Sequence, residues 1–187
     1  DVVFYLIYLL AGFGGLALFA ALLATLTYYL VLKTALDKTG KSIVPLAVLL
    51  ALSSLTLELW VIRPQIFSYL LTTLLVFILE RWRMSGNTKL LYWVPGIFVL
   101  WANMHAGVVL GVVIIGVYTF GLVFKQIKHP GGIKTPLMVF LISGIATLLN
   151  PNGYELLTYN LSITPATKEL GVEEWKSLLY YAPFRWQ

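Results

Sequence analysis

The sequence predicts an all-α fold: a polytopic helical membrane protein of about six transmembrane helices, with both ends on the non-cytoplasmic side. Three observations carry this. Hydrophobic residues make up 59% of the 187 residues and charged residues 11%, less than half the share of a soluble domain. Mean hydropathy is +0.86, which belongs to chains whose helices lie in lipid. The cations are also unevenly placed. The links at 33–42, 80–89 and 125–134 each hold three Lys or Arg, whereas the turns at 61–65 and 102–107 hold one between them. That alternation follows the positive-inside rule.

Each span has its own signal. Val2 to Leu32 is an uncharged run of 31 residues, longer than the ~20 that cross a bilayer core. The glycines of Ala-Gly-Phe-Gly-Gly at 11–15 supply a break, because clustered glycine loosens a helix. An interfacial segment up to Leu10 and a first span near 13–32 are therefore expected, with Tyr28 and Tyr29 in an aromatic belt. A polar link over 33–42 leads to a second span, 43–60, which carries Glu58. Arg63-Pro64-Gln65 interrupts the chain, since proline removes a donor and disfavours helix in the residue before it. The third span is 66–79 and the fourth, 90–102, is short. The fifth is 108–124, and Gly111 within it and Gly107 just ahead of it give a small-xxx-small pattern suited to close packing. The sixth, 136–149, stops at Asn150-Pro-Asn-Gly153. One alternative is a single long helix over 90–124, but it would put a basic link on the outer side. Residues 1–150 thus form a helical transmembrane module, and 151–187 an extracytoplasmic interfacial region of mixed aromatics and charges.

Composition and motifs exclude several function classes. Without cysteine, neither disulfides nor thiolate metal sites are possible. No P-loop, dinucleotide glycine fingerprint, nucleophile elbow or zinc motif is present, and no nucleic-acid partner is expected. Asp1 leads straight into Val-Val-Phe-Tyr, with no charged region ahead of an apolar core. This is not a signal peptide, and the chain is expected to be a piece of a longer protein.

The topology gathers Glu58, Arg63, Gln65, Asn103, His105, Asn150 and the 151–187 tail on one face. Trp101-Ala-Asn-Met-His-Ala-Gly107 is the most unusual stretch, because it sets an amide and an imidazole between two apolar runs. Asn103 and His105 could bind a substrate or transfer a proton. They could equally satisfy backbone groups at helix ends. A metal site is not expected, since His129 falls on the opposite side. Arg63 could hold a phosphate in paired hydrogen bonds, or snorkel, or pair with Glu58. Asn150 reads first as part of a helix stop. Glu174 and Trp175 combine a carboxylate with an aromatic platform, as sugar sites and interfacial anchors both do. Asn160-Leu-Ser162 matches a glycosylation acceptor.

Arg63-Pro-Gln-Ile-Phe-Ser68, Leu100-Trp-Ala-Asn-Met-His-Ala-Gly107 and Leu148-Leu-Asn-Pro-Asn-Gly-Tyr154 followed by Glu174-Trp175 together resemble a family of bacterial polytopic membrane proteins. That family is similar to the GT-C superfamily of lipid-phosphate-sugar-dependent glycosyltransferases. Ala106 and Asn152 depart from its pattern, standing where glycine and an aromatic residue are common. The resemblance implies a multi-pass protein of the bacterial cytoplasmic (inner) membrane that uses a polyprenyl-phosphate-linked sugar at the outer face. It also implies an acidic catalytic residue in the first external loop, upstream of Asp1, so no catalytic residue is assigned within the chain. Arg63, Gln65, Asn103, His105, Asn150 and Glu174 are the implied substrate-binding residues. No cofactor is predicted, although a divalent metal is compatible with the resemblance. The rival expectation is a non-catalytic membrane subunit that scaffolds a larger complex, with lipids and other membrane subunits as partners. A transporter is a third reading, kept open by the glycine-interrupted first run.

Overall fold

The computed structural model describes residues 2–40, 43–56, 60–124 and 132–159. Glu58, His129, Asn160 and Glu174 lie outside the described residues. Among those described, every regular element is helical: α1 (Val2–Thr39), α2 (Ile43–Leu55), α3 (Gln65–Ser85), a 3₁₀ segment (Thr88–Trp93), α4 (Val94–Met104), α5 (Val108–Phe124) and α6 (Lys134–Ala146).

α1 is two helices joined at Gly12, whose φ of 60° and ψ of −155° are not helical. Only glycine adopts this conformation without strain. The break folds the chain back on itself. Phe4 and Phe19 would be about 22 Å apart on a straight helix, yet their ring centroids are 6.3 Å apart. Phe4 also stacks on Phe67 of α3 at 5.4 Å.

The helix ends depart from the spans expected from the sequence, and local chemistry explains the departures of α1, α2, α3 and α4. α1 continues through the basic link to Thr39, because Lys33 and Asp37 pair across one turn at 3.0 Å. It stops where Gly40 takes a positive φ and donates its N–H to Leu36 O. α2 ends at Leu55, short of Trp60. There Ser53, Ser54 and Thr56 each donate a hydroxyl to a carbonyl three or four residues back, an arrangement that competes with helix propagation. α3 runs past Leu79 to Ser85 and closes on Gly86 in the left-handed conformation, whose N–H reaches Trp82 O. The fourth segment begins as a 3₁₀ helix capped by Asn87, which accepts from the Lys89 N–H. It becomes α-helical only at Val94, with Pro95 in the first turn. In a continuous α-helix, the Pro95 ring would clash with the carbonyl of Leu91. α6 covers 134–146 rather than 136–149. Residues 90–124 are not one helix, because His105 is extended between α4 and α5 (φ −159°, ψ 141°).

α3 is the central element, packed against α1, α4, α5 and the 3₁₀ segment, while α4 and α5 both pack on α6. Ile66 meets Ala20 and Leu23 at one end of α3, and Glu80 meets Lys38 at the other. The long arm of α1 is therefore parallel to α3. The core between α3, α4, α5 and α6 is built on Leu75, Leu79, Trp82, Phe98, Trp101 and Ile115.

The outer surface is apolar. Leu18, Leu50, Val117 and Ile145 are 74%, 62%, 66% and 65% exposed. α1 and α3 are long and apolar enough to cross a membrane, while α2, α5 and α6 contain shorter apolar helices. Only 17% of the most apolar stretch of α1 is buried. A helix apolar on all sides needs either a protein interior or lipid around it, and here the protein supplies little.

Candidate functional site

Three stretches singled out in the sequence meet at one end of the helix bundle. The first is the bend before α3, where Arg63 O accepts the Ile66 N–H at 3.1 Å. Pro64 caps α3 through its backbone alone, Gln65 opens the helix half-buried, and Ser68 lies one turn in. The second is the α4–α5 turn, residues 105–107. The third is the turn after α6.

The first two join through one chain of hydrogen bonds. The buried Trp101 Nε1–H donates to Ser68 Oγ at 2.8 Å. Ser68 Oγ lies 2.8 Å from His105 Nδ1, and the Gly107 N–H donates to the same nitrogen at 3.0 Å. A backbone N–H can only donate, so Nδ1 is an acceptor and the ring proton sits on Nε2. Ser68 therefore receives from the indole and gives to the imidazole. Partial burial lowers the His105 pKa from its ordinary value of 6.5, by desolvating the charged form. Ring and surroundings agree on a neutral imidazole with a fixed tautomer. That arrangement presents a hydrogen-bond donor, Nε2–H.

Two glycines make this junction possible. A Cβ on Gly107 would lie 2.5 Å from Ser68 Oγ and 2.7 Å from His105 Nδ1. A Cβ on Gly111 would lie 2.7 Å from the Trp101 ring. Gly107 and Gly111 thus admit Ser68 and the indole against the start of α5.

Asn103 ties in the third stretch. Its amide donates to Val99 O and to Leu149 O, each at 2.8 Å. Asn150 closes its own turn. It donates to Thr147 O and Gly153 O, and its Oδ1 accepts the Asn152 N–H at 2.8 Å. Both asparagine amides hold backbone carbonyls at helix ends. Cavities flank the 103–107 turn on two sides. One of about 290 Å³ is lined by Val2, Val3, Phe67, Asn103 and Met104. The other, about 330 Å³, is lined by Ala106, Asn152, Glu155, Leu156 and Tyr159. Among the described residues, no group of three His, Asp or Glu could hold a metal ion.

Ser68 and Trp101 stand inside stretches that the sequence marks, but their pairing across 33 positions has no local signal. A second polar cluster, at the opposite end of α3, falls in links that read in the sequence only as ordinary basic ones. Glu80 is buried there, held by Arg83 at 2.8 Å and Lys38 at 3.1 Å, and it accepts the Tyr118 hydroxyl. Asp37 bridges Lys33 and Arg81. The one local hint is the Glu80–Arg83 spacing of three, which suits a helical ion pair.

Compared with models of known protein families, with curated proteins and with solved structures, the chain matches none of them.

Proposed function

We propose that this chain is a multi-pass module of a bacterial cytoplasmic membrane and part of a GT-C-like glycosyltransferase. Its 63–68, 103–107 and 149–155 end receives the phosphate of a polyprenyl-phosphate-linked sugar at the non-cytoplasmic face. The observation that carries the reading is the His105 junction. Two donors into Nδ1 hold the ring with Nε2–H as a ready donor, the kind of preorganised dipole that stabilises a leaving phosphate. Arg63, exposed in the bend five residues before Ser68, supplies the cation for the same anion. Asn103 and Asn150 have a reduced part in this scheme, because their amides already hold backbone carbonyls.

That last point favours a second reading, a non-catalytic membrane subunit whose polar end is structural. Photocrosslinking separates the two. The full-length protein in nanodiscs is offered a short-chain polyprenyl-phosphate sugar carrying a diazirine. Labelling that competes with unmodified donor, and that falls about tenfold in both Arg63→Ala and His105→Ala, supports the transferase reading. Labelling no stronger than that of an unrelated membrane protein leaves the subunit. Sidedness is tested separately. The chain has no cysteine, so single cysteines at Asn152 and Ser85 should react with a membrane-impermeant maleimide from opposite sides.

A further inference from the structure

Two apolar grooves run side by side along the last third of α1. The first lies between α1 and α2, has a volume of about 280 Å³, and is lined by Leu32, Pro45, Val48 and Leu52 among others. The second lies between α1 and α3, has a volume of about 380 Å³, and is lined by Thr34, Thr72, Thr73 and Val76 among others. Val31 and Ala35 line both grooves, so they form the ridge between them. The two also end together. One reaches Thr39 and the other Lys38, neighbours in the last turn of α1. From Val31 to Lys38 the helix rises about 10 Å, enough for the upper part of an acyl chain.

The end where they converge is positively charged. Lys38 is 41% exposed and pairs with Glu80, which also serves Arg83. Asp37 serves Lys33 and Arg81 at once. Among the described residues, four cations, Lys33, Lys38, Arg81 and Arg83, share two carboxylates at this rim, Asp37 and Glu80. Basic pockets between transmembrane helices bind anionic headgroups by this complementarity.

From these two observations we propose that α1, α2 and α3 form a binding site for one anionic diacyl phospholipid. One acyl chain lies in each groove, astride Val31 and Ala35, and the phosphate sits at Lys38. The inference rests on the membrane reading of the chain but on none of its glycosyltransferase content.

The test is native mass spectrometry of the full-length protein released from detergent with defined lipids. Phosphatidylglycerol should be retained as a single adduct, about fivefold over phosphatidylcholine of equal chain length, as expected for one favourable lysine contact. Lys38→Gln should abolish that preference while leaving some retention of both lipids. Ala35→Phe, which fills the ridge shared by both grooves, should remove both adducts while circular dichroism stays unchanged. Equal retention of the two lipids by wild type overturns the proposal. So does an Ala35→Phe protein that keeps its phosphatidylglycerol, displacement of the lipid by millimolar inorganic phosphate, or preferential retention of a polyprenyl phosphate. Resistance to carbonate extraction, measured on the membranes before detergent is added, reports on the membrane reading by itself. A protein that stays in the pellet yet shows no lipid preference refutes the site and not the module.

Discussion

Ser68 and His105 are 37 residues apart in sequence and 2.8 Å apart in space, and their hydrogen bond has a single direction. Nδ1 already accepts the Gly107 N–H, and the Trp101 indole already donates to Ser68. Removing the hydroxyl therefore harms both neighbours. Ser68→Ala leaves the indole N–H of a fully buried tryptophan without its acceptor. The expected cost is about 1–3 kcal/mol, read as a lower midpoint in denaturant or SDS unfolding. Ser68→Thr, which keeps the oxygen, should recover part of it.

The same geometry fixes how the junction responds to acid. The His105 pKa is lowered in the folded protein, so below about pH 6.5 the unfolded chain binds a proton that the folded chain resists. The stabilising contribution is fully present above that value and is lost as pH falls through the folded pKa. Unfolding midpoints at pH 7.5 and pH 5 should differ for wild type and converge for His105→Gln. Nitrogen-15 spectra of labelled histidine should show an unprotonated Nδ1 at neutral pH. A protonated Nδ1 would contradict the acceptor role that the Gly107 N–H imposes on it.

Glycines divide into two groups by what surrounds them. Gly107→Ala and Gly111→Ala place a methyl under 3.0 Å from Ser68 and from Trp101, so each should cost about 1–3 kcal/mol as overpacking. Gly144 lies inside α6 with nothing within 4 Å of an added Cβ. Gly144→Ala should be neutral or stabilising by up to about 1 kcal/mol. If all three substitutions have equal effects, the close approach at the junction is wrong.

Gly12 makes a separate prediction, because φ 60° with ψ −155° is a region other residues enter only under strain. Gly12→Ala should favour a straighter α1 and draw Phe4 away from Phe19. Spin labels at positions 3 and 18 report the change as a distance increase of the order of 10 Å, given the helical rise.

At the opposite end, Glu80 holds three partners from α1, α3 and α5. Breaking a buried ion pair costs about 3–5 kcal/mol, but Lys38 and Arg83 are 41% and 51% exposed and can turn to water. About 1–2 kcal/mol is therefore expected for Glu80→Ala. Asp37→Asn, whose cation partners are similarly exposed, should cost no more than about 1 kcal/mol. Chemical unfolding of the two variants beside wild type checks the order.

Helical class, the break among glycines 11–15 and the interruption at His105 are legible in the sequence, because each follows from local chemistry. The limits of α2, α3 and the fourth segment are not. They depend on where hydroxyls of Ser53, Ser54 and Thr56 compete for carbonyls, on a capping Gly86, and on Pro95 forcing the preceding turn into 3₁₀ geometry. At the candidate site, the sequence marks Asn103, His105 and Asn150 as odd but leaves open whether they bind or brace. The answer depends on long-range partners such as Leu149 O for Asn103 and Ser68 for His105. Hydropathy carries no trace of such pairings. Glu80 escapes notice for the same reason, as its partners Lys38 and Tyr118 come from other helices.

The shortness of α2 has a consequence for whatever surrounds the protein. Thirteen residues rise about 20 Å, against a hydrocarbon layer of about 30 Å. Beyond its end, the Tyr28 hydroxyl binds Thr56 Oγ1 at 2.7 Å and accepts the Trp60 indole N–H at 2.8 Å. These polar groups sit roughly 17 Å along α1 from Thr39. On this flank a chain seated in a bilayer meets hydrophobic mismatch. Either a neighbouring helix fills the step, or the lipids beside α2 must thin, which favours thinner membranes.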